Sequence, residues 1–567
     1  MKITILSGGS GNDKIVKGLA KMYKDCDVKV ILNAYDSGKS TGICRKITRT
    51  LGVSDIRKNH SRMYAATSDT VNRSILEFYN NRYNLNGIDD VLSLLDKWDL
   101  NQFTEYAVRF FDRPEAANYE FKDFSIANII YSEMYAEIGY SATNKYFTDF
   151  LGINDFVILN SDDYVYLNAI TQSGYVIDDE GDLVSWCNAD DKIVTCRYEV
   201  KSMPRGLNQA AIDRIRESDL ILISTGTFWS SIYPTLQYEN FYKYINESKA
   251  KKIWAINNTE DKDAFGVTSN DFIDYFKKLG LNLSDFTILE NADSIDSLHL
   301  PNSEFNVVIR PMGNNKGQHD PTKFVKEIFK VYYGITSDYD KILLDFDDTI
   351  WARNYKSSEI DRKTSIDNLE MLNKMVDKVL IVSGNTYLSI SKKLFEVFGT
   401  NLEDCELNIW ADVNARNYYK NEVKSTIEDF VLPLDKVDTV TNILNTLGIA
   451  YTFDNEKSVI NIKVKSLSEL ERTLLCAYLN ESVFGRESLS NFVAKKTGKA
   501  TVDIVAKTNT KRAVFDYLNL SKENTLYIGD EIDSGNDRDI AYACNNFVNV
   551  VNVNETNFIL KLIGDFI

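Results

Sequence analysis

Proline, cysteine and histidine are all scarce, with 7, 7 and 3 copies among 567 residues. A chain with so little proline and 44% hydrophobic residues can bury a core, which excludes extended disorder. The cysteines Cys26, Cys44, Cys187, Cys196, Cys405, Cys476 and Cys544 stand far apart with no CxxC pair, and His60, His299 and His319 do not cluster. Zinc sites and disulfide frameworks are thereby disfavoured, and a reducing cytoplasm is the expected location. Positive charge is also short: 65 Lys+Arg against 82 Asp+Glu leave a net charge of −17. Such a field repels polyanions, so no nucleic-acid partner is expected. No apolar run approaches the ~18 to 20 residues of a membrane span, and the opening MKITILSGGSG reads as a first strand rather than an export signal.

At roughly 150 residues per domain the length suggests three or four folding units. The first thirty-odd residues give strand, glycine turn, helix and strand. Apolar KITIL precedes SGGSG, then Ile15, Val16, Leu19, Ala20 and Met22 recur at helical spacing before DVKVIL. Residues 60–155 are helical in pattern and rich in Tyr and Phe, and they read as an insertion whose aromatics form helix-packing core. Strand signals return in DLILIST, KIWAIN and NVVIRP, so the first half predicts a doubly wound α/β sheet. A second parallel sheet follows in KILLDF, KVLIVSG and TLYIGD. The expected organisation is a first domain over 1–335 and a second over 336–567, with an α+β unit inserted at about 418–495. Both domains are expected to be Rossmann-like.

In the second half, Asp345 and Asp347 stand at a strand's carboxyl end in LLDFDDT, where an open parallel sheet binds its ligands. Ser383 in IVSGN, Lys511 before a helix, and Asp530, Asn536 and Asp537 in YIGDEIDSGND stand at further strand ends. Carboxylates with a serine and a lysine suit phosphoryl transfer. Mg²⁺ takes hard oxygen ligands, a phosphoryl group takes hydroxyl and cationic donors, and a carboxylate attacks phosphorus.

These four motifs, in this order over about 338–567, resemble the haloacid-dehalogenase phosphatase superfamily. The resemblance implies Asp345 as nucleophile, Asp347 as general acid and base, and Ser383 and Lys511 as phosphoryl partners. It also implies Mg²⁺ held by Asp345, Asp347 (through its backbone carbonyl) and Asp530, with Asn536 and Asp537 behind them. The insertion resembles the α/β cap of the sugar-phosphatase and phosphomannomutase branch, and ADVNA (411–415) resembles the segment leading into it. Asp348 stands where many relatives carry glycine.

In the first half, Gly8, Gly9, Ser10 and Gly11 form a loop whose backbone N–H groups and following helix dipole suit a phosphate. The next strand runs into DSGKSTGICR, which brings Asp36, Lys39, Ser40, Thr41 and Arg45 nearby. GKST lacks the earlier glycine of a P-loop, so Walker A is rejected. The pattern is similar to the 2-phospho-L-lactate transferase (CofD-like) superfamily over about 1–330, particularly its gluconeogenesis-factor branch that binds UDP-sugars. The matching residues are the GGSG turn, Asp36 to Gly42 with Arg45, Asp55 and Arg57, Arg82, Ser125 to Asn128, Thr225 to Ser231 with Gly226, Thr227 and Ser231, and His319-Asp320-Pro321. Ser37 and Ser54 depart from that pattern, where relatives carry Asp and Gly.

The resemblances imply a nucleotide or nucleotide-sugar site, with phospho-group transfer open, joined to a Mg²⁺-dependent phosphatase acting on a small phosphorylated metabolite. The alternative is a UDP-sugar sensor in which the first half controls the second without catalysis. Homo-oligomerisation is left open.

Overall fold

The computed structural model describes residues 1–564 except 9–12, 23–25, 69, 179, 202, 295–298, 301–303, 315–317, 336–338, 400–401, 454–458, 465, 498–500 and 534–536. The chain divides into two units, Met1–Tyr332 and Tyr333–Ile567.

The first unit is built on seven parallel strands in the order Asn306–Arg310, Phe286–Asn291, Lys251–Ala255, Leu220–Ile223, Lys2–Leu6, Asp27–Leu32 and Val157–Leu159. Leu220–Ile223 is buried at all four positions, which accounts for its unbroken apolar run LILI: helices cover both faces of a parallel sheet. Starting from Lys2–Leu6, the chain first adds strands on one side, then returns to add the rest on the other. The order therefore reverses between Lys2–Leu6 and Leu220–Ile223, which opens a crevice at their carboxyl ends. Two insertions decorate this frame. One carries the helices from Ser54–Thr67 to Ile126–Leu151. Its aromatics Phe78, Phe103, Phe110 and Tyr131 are buried, and Tyr131 stacks on Phe147 at 3.7 Å, so they are core. The other is a three-stranded antiparallel sheet, Val165–Thr171, Val176–Ile177 and Ile193–Val200, which the sequence reading did not anticipate.

The second unit repeats the device. Its main sheet runs Glu422–Thr426, Arg416–Tyr419, Asn408–Ala411, Val379–Val382, Lys341–Leu344, Thr525–Gly529 and Asn546–Asn549. The first three strands pair antiparallel and the rest are parallel. The reversal of order falls between Lys341–Leu344 and Thr525–Gly529. A separate four-stranded antiparallel sheet spans Thr452–Phe453, Ile460–Lys463, Thr501–Ala506 and Phe492–Thr497. Its own core joins Val437, Val440 and Leu444 to Ile460, Ile462, Val502 and Ile504.

This inserted unit differs in extent from the expected 418–495. The hairpin Arg416–Tyr419 and Glu422–Thr426 extends the main sheet, while Thr501–Ala506 belongs to the inserted one. The insert therefore runs from about 432 to 506, and its two connections meet where Thr508 Oγ1 donates to the Asp429 carbonyl at 3.3 Å. Replacing residues 432–506 by a short Gly/Ser linker should leave a soluble, cooperatively melting protein. Deleting 418–495 should not, because it strips an edge of the main sheet; soluble yield and thermal melts check both.

Candidate functional site

At the first reversal point the ends of the strands Lys2–Leu6 and Leu220–Ile223 meet. Ser7 Oγ donates to the Thr225 carbonyl at 3.0 Å. A Cβ on Gly8 would lie 2.2 Å from Ser231 Oγ and 3.4 Å from Asp55 Oδ2. Only glycine fits there, and the approach sets Asp55 and the Thr225–Ser231 turn around the end of the first strand. Inside that turn Thr227 Oγ1 and Ser231 Oγ share a hydrogen bond at 2.9 Å. Asp263 holds it from below, accepting from the Trp229 and Ser230 N–H groups at 3.0 and 3.1 Å. Asn257 clasps Gly226, accepting from its N–H at 3.2 Å and donating to its carbonyl at 3.1 Å. Beside it Asn258 is buried with neither amide atom partnered. Burial, with Asp263 adjacent, pushes the Asp261 carboxyl up to about 8. Burial likewise raises Asp263 to about 6, although the turn's N–H groups pull it down.

Several residues expected at this site stand elsewhere in its construction. Arg45 is fully buried, and its guanidinium donates to the carbonyls of Tyr35, Asp36, Thr50 and Val165. It therefore braces the Asp36 loop from within rather than meeting a ligand. Lys39 is 72% exposed and pairs with Asp123 at 3.1 Å. Ser40 and Thr41 accept from the Asn128 amide, which in turn accepts from Arg57 Nε at 2.7 Å. Arg57 is buried and thus builds the loop. Asp36 Oδ1 accepts from the Gly38 N–H at 3.0 Å. His319 packs at 4.2 Å on Phe324, and burial lowers it to about 4, so it is neutral. Gly9, Ser10 and Gly11 lie outside the described residues. The sequence reading missed Asn257, Asn258, Asp261, Asp263 and Lys58, whose ammonium lies 3.1 Å from Asp55. A polar run after the strand signal KIWAIN was the available clue.

At the second reversal point Lys511 Nζ, buried, donates to Asp345 Oδ1 at 2.6 Å and to Asp537 Oδ1 at 2.5 Å. Thr510 caps the helix that carries it, accepting from the Ala513 N–H. One oxygen from each of Asp345, Asp530 and Asp537 lies within 4.8 Å of the others. A Cβ on Gly529 would meet Asp537 Oδ2 at 2.3 Å, so glycine is needed for Asp537 to enter. Burial pushes the Asp345 carboxyl up to about 8; Lys511 opposes the rise, and Asp537 and Asp530 add to it. Burial also works against the Lys511 charge, but Asp345 and Asp537 outweigh it and hold the ammonium above its ordinary range. Asp530 rises to about 6 through burial and the neighbouring Asp537.

Ser383 Oγ accepts from the Asn385 N–H at 3.1 Å at the end of the adjoining strand. The Asp347 carboxylate accepts from Lys393 Nζ at 2.8 Å and from the Asn385 amide at 2.5 Å. The third carboxylate of the cluster is Asp537, which was expected behind the metal shell. Asp348 has φ +54, a left-handed conformation that explains the glycine in its place elsewhere; its Oδ1 accepts from the Arg353 N–H at 2.8 Å. Asn536 lies outside the described residues.

The family model for 2-phospho-L-lactate transferase CofD matches residues 3–333. The chain belongs to the CofD family. Its CofD region is 24% identical over 298 residues to the gluconeogenesis factor of Bacillus subtilis (strain 168), covering 52% of this chain and 80% of that protein. It is 23% identical over 334 residues to a putative gluconeogenesis factor of Streptococcus pneumoniae serotype 4, covering 58% and 89%. Among solved structures, a UPF0052 family member from Bacillus halodurans matches with 16% identity and TM-score 0.45, covering 58% of this chain and 99% of that one. A haloacid dehalogenase-like hydrolase from Bacteroides thetaiotaomicron matches with 12% identity and TM-score 0.29, covering 40% and 100%.

The CofD match ends at residue 333, so the Asp345–Lys511 cluster lies beyond it. One ammonium faces three carboxylates there, all hard oxygen donors; burial raises Asp345 and Asp530, and their acidic neighbours add to the rise. That donor set fits a small divalent cation such as Mg²⁺. No described helix is long and apolar enough to cross a membrane. Protons and the cation compete for the same oxygens. Asp345 and Asp530 bind protons more tightly folded than unfolded, so their contribution to stability in metal-free protein falls as pH rises toward about 8. Added Mg²⁺ should therefore raise the melting temperature more at about pH 8 than at about pH 5.5, as differential scanning fluorimetry can measure.

Proposed function

We propose that the second unit is a Mg²⁺-dependent phosphatase of the haloacid-dehalogenase type working through an aspartyl-phosphate on Asp345. The observation that carries this reading is the buried Lys511 bridge to Asp345 and Asp537 at the sheet's reversal point, with Asp530 alongside. Lys511 takes Asp345 Oδ1, which leaves Oδ2 to attack phosphorus as the ester P–O bond breaks. Ser383 and Lys511 donate to the transferring group. Asp347 protonates the departing oxygen, then accepts a proton from the water that cleaves the acyl phosphate. Lys393 and Asn385 fix its orientation. Asp345, Asp530 and Asp537 would hold Mg²⁺, which would offset charge on the phosphoryl oxygens.

For the first unit the reading is a nucleotide or nucleotide-sugar site at the crevice formed by Gly8, Asp55, the Thr225–Ser231 turn and the Asn257–Asn258 segment. Binding is favoured over phospho-group transfer by one observation: Ser37 stands where relatives carry a second Asp, and Arg45 and Arg57 are spent on the loop's own framework. On this reading the unit senses a diphosphate ligand such as a UDP-sugar and controls the phosphatase.

Two predictions follow from this assignment. In a screen of phosphorylated metabolites with Mg²⁺, Asp345→Asn should abolish turnover with the fold intact, and Asp347→Asn should lower it by ~10² to 10⁴-fold; a folded Asp345→Asn protein with near-normal turnover contradicts the mechanism. In calorimetry with uridine and guanosine diphosphate compounds, the wild type should bind one in the micromolar range, about 8 kcal/mol. Gly8→Val should abolish that binding, since its side chain displaces Ser231.

A further inference from the structure

The strand Asn408–Ala411 leaves the main sheet of the second unit through Asp412, Val413 and Asn414, whose φ values are +53, +56 and +64. Three successive left-handed residues without a glycine, one of them β-branched, are a strained arrangement. Their surroundings hold them there. The Asp412 N–H donates to the Asn385 carbonyl at 2.8 Å. Its carboxylate accepts from the Tyr387 N–H at 2.8 Å and from the Tyr418 hydroxyl, and the two tyrosine rings stack at 3.8 Å.

This strained turn delivers the Asn414 side chain, 4% exposed, against Asn509, 2% exposed. The Asn414 amide donates to Asn509 Oδ1 at 3.4 Å, while Asn414 Oδ1 and Asn509 Nδ2 have no partner. Exchanging O and N on both side chains reverses that contact and still leaves one donor and one acceptor unmet. Each such group loses its hydration without compensation when buried unsatisfied. Both amides sit close to the proposed chemistry. Asn509 is two residues from Lys511, at most about 7 Å along the backbone. Asn414 is two residues from Asp412, which is bonded to the same Asn385 that holds Asp347. From the inserted sheet Lys495 Nζ donates to the Asn509 carbonyl at 2.8 Å and fixes that stretch.

A hydroxyl can meet an adjacent donor and acceptor together. We propose that Asn414 and Asn509 read a hydroxyl on the organic part of the phosphomonoester, so that discrimination resides in the floor of the main domain as well as in the inserted unit. The inference rests on the phosphatase reading. Asn414→Gly removes the amide without adding backbone strain, and Asn509→Ala removes its partner. With the full-length protein and Mg²⁺, kcat/KM would be measured for glycerol phosphate and hexose phosphates against phenyl phosphate and the matching deoxyhexose phosphates. The wild type should prefer at least one hydroxylated ester over its deoxy analogue. Both variants should reduce that preference by ~10-fold or more, chiefly through KM, because a site built to pair a hydroxyl discriminates strongly against its absence. Should Asn414→Gly melt early, Asn509→Ser, which keeps a short polar group, decides by retaining part of the preference. An unchanged preference in folded variants overturns the proposal and leaves the amides a structural role. A wild type that hydrolyses every ester without preference overturns it too, with the phosphatase reading intact. A wild type that turns over no ester overturns both.

Discussion

A buried ammonium shared by two carboxylates organises the second unit's site. Taking Lys511 out of water is costly unless its charge is matched, and a single carboxylate would match it. Asp345 and Asp537 both bind it, and Asp530 crowds in behind them. The excess negative charge has two outlets: proton uptake, visible in the raised Asp345, or a divalent cation. The fold maintains this arrangement through features that have little other purpose. Gly529 lets Asp537 approach, Thr510 caps the lysine's helix, and Lys393 and Asn385 both bond the Asp347 carboxylate.

The first unit meets the same geometric constraint with different chemistry. Parallel strands whose order reverses leave a crevice at their carboxyl ends, and both sheets place polar loops there. In the first unit the crevice combines hydroxyls, amides and backbone with Asp55, Lys58, Asp261 and Asp263. Its arginines face inward to carbonyls, as Arg45 does with four of them. Such a lining suits the recognition of a ligand more than the stabilisation of a charged transition state.

The alternation of strand and helix made both parallel sheets legible in the sequence, because buried runs such as LILI and KILL have no other easy home. Asp345, Asp530 and Lys511 could be singled out because charged types recur together at the carboxyl ends of parallel strands, where such sheets bind ligands. What was hidden depended on direction. Sequence places Arg45 beside the Asp36 loop but does not show its guanidinium turned to the backbone. It places Asp537 behind the metal shell and does not show that Gly529 lets its carboxylate reach Lys511 and join the cluster. The hairpin at 416–426 reads as part of the insertion until its antiparallel pairing to Asn408–Ala411 is seen. Asp263 and Asn257 act through backbone N–H groups 31 to 34 residues away, a contact without local signature.

The most direct test of the central claim is a crystal structure grown with Mn²⁺ and beryllium fluoride, which mimics a phosphoryl group on a carboxylate. The account predicts the fluoride complex bonded to Asp345 Oδ2, with Lys511 still on Oδ1 and the metal ion between Asp345 and Asp530. A complex bonded to any other side chain, or a metal ion bound away from Asp345, would contradict it.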